Sequence, residues 1–249
     1  RMTAELSAIR LKAAQICFYR EICQPGDVSR FFNRIKASVL NDGMFIEYQA
    51  LSRELMWNYL GADQLGLDDN NISAVATDGD DVWVGSWNGG LVRYTRSTGY
   101  QEVYSDGPDS LVSRRIRDIK IIDRYVWVGT DQGLSIFSRS SNRWRYEIIS
   151  QNRSESVLIS TIVVDGDVVY VGTLGEGLWR HKVDGWEKII GSNSDGLPGK
   201  FINTLRIIDQ KLWIGTIDLG LLVMDLQDQS LESFDVYNEN LGPKNVTAI

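Results

Sequence analysis

The sequence predicts a mainly β fold: a row of β-propeller blades, four of them complete, behind an α-helical segment. Three observations carry this. An aromatic residue two places before a glycine recurs at Trp83-Val84-Gly85, Trp127-Val128-Gly129, Tyr170-Val171-Gly172 and Trp213-Ile214-Gly215, at spacings of 44, 43 and 43 residues. A second glycine follows in phase at Gly90, Gly133, Gly177 and Gly220. A start of four residues with apolar ends precedes each copy: Ile72-Ser73-Ala74-Val75, Ile116-Arg117-Asp118-Ile119, Ile159-Ser160-Thr161-Ile162 and Ile202-Asn203-Thr204-Leu205. A fifth start, Val246-Thr247-Ala248-Ile249, closes the sequence. Several landmarks held in phase at this period mark a repeat architecture.

In chain order, residues 1–61 read as an α-helical segment of three helices. Residues 3–23 place Leu6, Ile9, Ala13, Ile16 and Cys23 on one face, and Pro25-Gly26 breaks the pattern. Asp27 is the N-cap expected for a second helix with Val28, Phe31, Phe32, Ile35 and Val39 as its stripe. A third, about 44–60, carries Tyr48, Leu51, Leu55 and Tyr59; with the second it loosely resembles a tetratricopeptide hairpin. The Gly- and Asp-rich stretch 62–71 reads as a linker, and 72–249 as the propeller repeats.

Each repeat parses into four short strands. In the first, 72–77 is a strand and Asp78-Gly79-Asp80 a tight turn, because Gly supplies positive φ at little cost. The second strand is 82–86, Trp87-Asn88-Gly89-Gly90 turns, Leu91–Thr95 is the third, and Tyr100–Tyr104 the fourth. The blades are expected at about 72–105, 116–150, 159–190 and 202–237, with the next starting at 246–249. Dense Val, Ile, Trp and Tyr exclude a helical or leucine-rich repeat. A blade buries its apolar faces only against neighbours, so the fifth start leads us to expect a piece of a longer protein. The in-phase Trp83, Trp127, Tyr170 and Trp213 are expected in the blade core.

Composition narrows function. The chain has 249 residues and a formal charge of −7, so the clustered basic surface that counterion release needs is missing and nucleic acid is not an expected partner. No run of 18 apolar residues is present, so no membrane span is expected in this chain. The sequence starts at Arg1 without a visible signal peptide, which leaves localisation unread. Cys17 and Cys23 do not make a disulfide framework.

Catalytic chemistry is not expected, and neither is a cofactor. His181 is the only histidine and reads as a solvated strand end without a relay. One His and two Cys lack zinc-ligand spacing, and the acidic turns Asp78–Asp81 and Asp165–Asp167 are what hairpins use, so no metal is expected. The glycines of Gly172–Gly177 follow a strand but precede another strand, so no phosphate-binding helix terminus arises.

Asp80-Asp81-Val82-Trp83-Val84-Gly85 followed by Gly89-Gly90-Leu91-Val92-Arg93-Tyr94 resembles the two-component regulator propeller repeat. Leu212–Thr216 with Gly220-Leu221 resembles it too, as does the connector Ser194–Gly199. The resemblance implies a bacterial, periplasmic or otherwise extracytoplasmic sensor region in signal transduction, with a small molecule or glycan as ligand. The residues themselves favour, ahead of that, a non-enzymatic binding and scaffolding propeller with a protein or peptide partner. Its surface would combine the connectors before each first strand with the turns after each second strand. The residues there are Arg115, Arg117, Asn203 and Thr204, with Trp87, Asn88, Asp131, Gln132, Glu176, Ile217 and Asp218 in the turns. Trp87 stands out, because the other copies carry Asp131, Leu174 and Ile217 at its place. Variation at a repeated loop position is where specificity resides.

Overall fold

Among the described residues sixteen strands make four antiparallel four-stranded sheets, each ordered as its strands occur in the chain. A computed structural model describes residues 60–147, 149, 156–190, 201–234 and 245–249. The helices expected over 1–61 and the connector Ser194–Gly199 lie outside these residues. The first blade is β1 (Ile72–Asp78), β2 (Asp81–Ser86), β3 (Leu91–Thr95) and β4 (Tyr100–Tyr104). The second is β5 (Ile116–Ile122), β6 (Tyr125–Thr130), β7 (Leu134–Ser138) and β8 (Arg143–Glu147). The third is β9 (Leu158–Asp165), β10 (Val168–Leu174), β11 (Leu178–Lys182) and β12 (Gly185–Ile190). The fourth is β13 (Ile202–Ile208), β14 (Lys211–Thr216), β15 (Leu221–Asp225) and β16 (Leu231–Phe234).

The core lies between blades. Trp83, Leu91 and Tyr104 of the first blade form one apolar cluster with Ile116, Ile119, Val126, Val128 and Phe137 of the second. Trp127 and Ile136 meet Ile159, Ile162, Val169 and Val171 in the next, and Tyr170 and Leu178 meet Leu205, Leu212 and Ile214 in the third. The second and third sheets thus bury both faces against neighbouring blades, as propeller blades do. The first strands β1, β5, β9 and β13 pack in succession. Trp83 stacks on Tyr104 with ring centroids 5.8 Å apart, and Phe137 tilts against both. Trp83, Trp127 and Tyr170 are buried as expected, and Trp213 is partly buried.

Both in-phase glycines have steric causes. A Cβ on Gly85 would lie 2.4 Å from Cγ2 of Ile116, the first residue of the next blade. Gly129 meets Ile159 in the same way at 2.7 Å and Gly172 meets Ile202 at 2.6 Å. Against Gly215 the neighbour is Val246, at 2.9 Å, so the fifth start sits where the earlier starts sit. The Val246 amide donates to the Thr216 carbonyl. The second glycines, Gly90, Gly133, Gly177 and Gly220, all have positive φ, from 78° to 142°, the region where a Cβ is penalised.

The stretch 62–71, read as a linker, packs on the first blade. A one-turn helix, α1 (Ala62–Leu65), places Ala62, Leu65 and Leu67 in a cluster with Val84 and Val92. Those valines lie on the face of the first sheet opposite Trp83. The segment therefore covers apolar surface that the later blades bury against one another. Asn70 accepts from the Ala62 amide through Oδ1, and Asp69 accepts from the Asn71 amide, so these side chains shape the turn. The acidic hairpin Asp78–Asp81 is likewise used within the scaffold. Asp81 holds Arg93 at 2.6 Å and Thr95 at 2.8 Å, Asp78 pairs with Arg139 of the second blade, and Asp80 accepts from Ser97.

Candidate functional site

The connector face owes its side-chain placement to a bulge found in every blade. The pairing of first and second strands slips between Ile72 and Ala74, Ile116 and Asp118, Ile159 and Thr161, and Ile202 and Thr204. The extra residues are Ser73, Arg117, Ser160 and Asn203. A bulge re-aims its side chain and is common beside functional sites. Three of the four serve the scaffold. Ser73 Oγ donates to the Gly85 carbonyl, Ser160 Oγ to the Ile202 carbonyl at 2.6 Å, and Asn203 Nδ2 to the Val246 carbonyl at 2.9 Å. The last two tie one blade to the start of the next.

Arg117 does something else. It turns to the preceding blade, and its guanidinium carbon lies 3.9 Å from the centre of the Trp87 ring. Trp87 is 47% exposed, so it is held at the surface rather than packed between blades. Next to it Arg115 Nε reaches Asn88 Oδ1 at 3.4 Å, and Arg115 Nη1 pairs with Asp131 Oδ2 at 3.2 Å. The five expected residues Trp87, Asn88, Arg115, Arg117 and Asp131 therefore form one contiguous cluster across the first and second blades. Burial draws the Arg117 pKa below the ordinary guanidinium value; the Asp131 charge opposes this and Arg115 reinforces it.

The remaining expected residues divide. Asn203 is committed to Val246, and Glu176 to Lys188 at 2.8 Å within its own blade. Gln132 is exposed beside Asp131, while Ile217 and Asp218 are exposed in the turn of the fourth blade. Thr204 presses its Cγ2 on Gly215 and is structural. Phe201, one residue before β13, is 44% exposed and adds an apolar element near Ile217, whose amide donates to the Phe201 carbonyl. Its place before the first strand, the place Arg115 holds in the second blade, is the signal that finds it.

A further repeated residue builds the turns. The residue after each first in-phase glycine carries a hydroxyl: Ser86, Thr130, Thr173 and Thr216, all 0% exposed. Thr130, Thr173 and Thr216 donate to the carbonyls of Gly133, Gly177 and Gly220 and accept from amides at 132, 176 and 219. Ser86 accepts from the Gly89 amide at 2.6 Å. Buried hydroxyls so satisfied fix each turn against the blade.

His181 lies at the far end of its blade, and the expected solvated setting is corrected. Its ring is edge-on to Trp127 at 5.6 Å and to Trp186 at 4.9 Å, and burial lowers its pKa.

The repeat geometry is that of propeller blades resembling two-component regulator repeats, and the connector-face cluster is built on it. No family model matches the chain. It is 26% identical over 204 residues to histidine kinase P4 of Formosa agariphila, covering 77% of this chain and 14% of the kinase. The fold is similar to the extracellular domain of the hybrid two-component system BT4673 of B. thetaiotaomicron, with TM-score 0.61 and 20% identity, over 72% of this chain and 24% of that one. PorZ, a surface component of the type-IX secretion system of Porphyromonas gingivalis, matches with TM-score 0.50 and 16% identity over 68% of this chain and 23% of its own. The chain thus spans a minor part of each of these three proteins. Among the described residues no helix is long and apolar enough to cross a membrane.

Proposed function

We propose that these blades are part of the extracytoplasmic sensing region of a bacterial two-component signalling protein, where they bind a ligand without transforming it. The 26% identity to a histidine kinase over 204 residues carries the reading. It favours sensing over the protein-scaffolding function that the residues alone put first. The connector-face cluster supports it as well. One exposed indole, one amide and two guanidiniums sit together on a rigid sheet framework, the mix of flat apolar surface and few polar groups that small ligands use. A scaffolding surface would instead spread over several blades, and the candidates of the third and fourth blades do not join the cluster.

The test is a thermal-shift and calorimetric screen of the chain against neutral and charged saccharides and small organic acids, repeated with Trp87→Ala. The sensing reading expects a ligand that raises the midpoint of the parent protein and loses at least tenfold in affinity when Trp87 is removed. A chain that ignores the whole panel, yet captures a protein through a surface that Trp87→Ala abolishes, refutes it in favour of scaffolding.

A further inference from the structure

Four arginines of the described blades are buried or partly buried: Arg93, Arg117, Arg139 and Arg180. Arg93 pairs with Asp81, Arg139 with Asp78 and Arg180 with Glu187. Among the described residues Arg117 has no hydrogen bond or ion pair to a carboxylate, and its Nε is buried without a partner. A guanidinium drawn from water and left unpaired is costly. The nearby acid relieves it only in part: the Asp131 charge acts on Arg117, but its Oδ2 pairs with Arg115 and no bond from Asp131 reaches Arg117. Two cations against one carboxylate leave the charge of Arg117 over, in a chain whose formal charge is −7. The guanidinium carbon lies 3.9 Å from the centre of the Trp87 ring, and a planar guanidinium carries the fork of donors that meets a carboxylate with two parallel bonds.

Resting on the ligand-sensing reading above, we propose that this cluster binds an organic acid carried on a ring. The carboxylate pairs with Arg117 and the ring lies against the exposed part of Trp87. Asn88 accepts from Arg115 through Oδ1, which leaves its amide nitrogen as a donor for the ligand. A saccharide acid and an aromatic acid share this chemistry, and the test separates them.

Calorimetry on the full chain uses two matched pairs, glucuronate with glucose and benzoate with benzyl alcohol. Variants are Arg117→Gln, Arg117→Lys and, as a bulk-charge control, the exposed turn residue Arg124→Gln. Unfolding midpoints confirm that each variant is folded. One acid binds at least tenfold more tightly than its neutral counterpart, and which acid does so identifies the source of the ring. Arg117→Gln loses about 10–100-fold, the range of a charge-assisted hydrogen bond. Arg117→Lys recovers only part, because the flat fork is missing, and Arg124→Gln changes nothing. Binding weakens as salt is raised. Equal binding of a neutral partner with its Trp87 dependence intact overturns the acid specificity and leaves ligand sensing standing. Acid binding indifferent to Arg117→Gln, or no binding by any of the four probes, also overturns the proposal. The sensing reading itself fails only if the wider screen is empty too and the Trp87 surface captures a protein instead.

Discussion

Gly129→Ala tests how the blades interlock. The added methyl would sit 2.7 Å from Cγ2 and 3.1 Å from Cβ of Ile159, which is 0% exposed. The backbone of Gly129 lies outside the positive-φ region, so alanine meets no conformational penalty there. Overpacking of a fitted core costs about 1–3 kcal/mol, and the stiffer unfolded chain returns about 0.4–1 kcal/mol. The clash wins, with a net loss of up to about 2.5 kcal/mol and a midpoint lower by about 2–4 °C per kcal/mol. Gly107→Ala is the control: it has neither positive φ nor any atom within 4 Å of the new methyl, so it should be neutral or slightly stabilising. Ile159→Ala alone opens a cavity and costs about 2–5 kcal/mol. In the double variant the new methyl enters the space that Ile159 vacates, so the two losses should not add. A coupling of about 1 kcal/mol or more is expected from denaturant titration of all four proteins. Strict additivity, or equal behaviour of Gly129→Ala and Gly107→Ala, would refute the interlock.

Other expectations follow from the same framework. Trp127→Ala should lower stability by about 3–5 kcal/mol, and an unchanged denaturation midpoint would remove that ring from the core. Thr130→Val keeps the shape but orphans the Gln132 amide and leaves the Gly133 carbonyl with the Thr130 amide alone, so a loss of about 1–3 kcal/mol is expected by the same titration. Burial pushes the Asp81 pKa up, but hydrogen bonds from Arg93 and Thr95 outweigh it and hold the carboxyl below its ordinary value. A depressed folded pKa contributes stability that is present above the unfolded pKa and lost as pH falls through the folded one. Unfolding midpoints between about pH 5 and about pH 2 should therefore fall more steeply for the parent protein than for Asp81→Asn, and parallel profiles would contradict this.

The blades were legible because their causes are local and recur. A glycine that admits the next blade and a glycine that takes positive φ must reappear once per period, so spacing alone locates them. Strand limits followed from the turns between them. The hydroxyl at Ser86, Thr130, Thr173 and Thr216 is equally periodic but carries no signal by itself, since Ser and Thr are common in strands and their turn bonds are invisible before the sheet is built. The packing of Ala62, Leu65 and Leu67 was hidden for another reason. Gly and Asp dominate the composition of that stretch, and the three apolar residues gain a partner only from the far face of a sheet formed later in the chain.

The connector-face cluster was legible in membership and not in geometry. Trp87 and Arg117 each break a repeated position, which marks them as departures from the scaffold, but they are 30 residues apart and meet only because adjacent blades pack. The bulge decides what the departure achieves. At Ser160 and Asn203 the bulged side chain is short enough to reach the carbonyl that opens the next blade, and it ties one blade to the next. An arginine at the same place does not make that bond, so the second blade gives up one tie to its neighbour. It gains a stacked guanidinium on the connector face instead. The join to the third blade is kept by the next residue: Asp118 Oδ2 accepts from the Ile162 amide at 2.7 Å across the interface. That neighbouring link keeps the two blades joined while position 117 turns to the connector face, where the proposed recognition would use it.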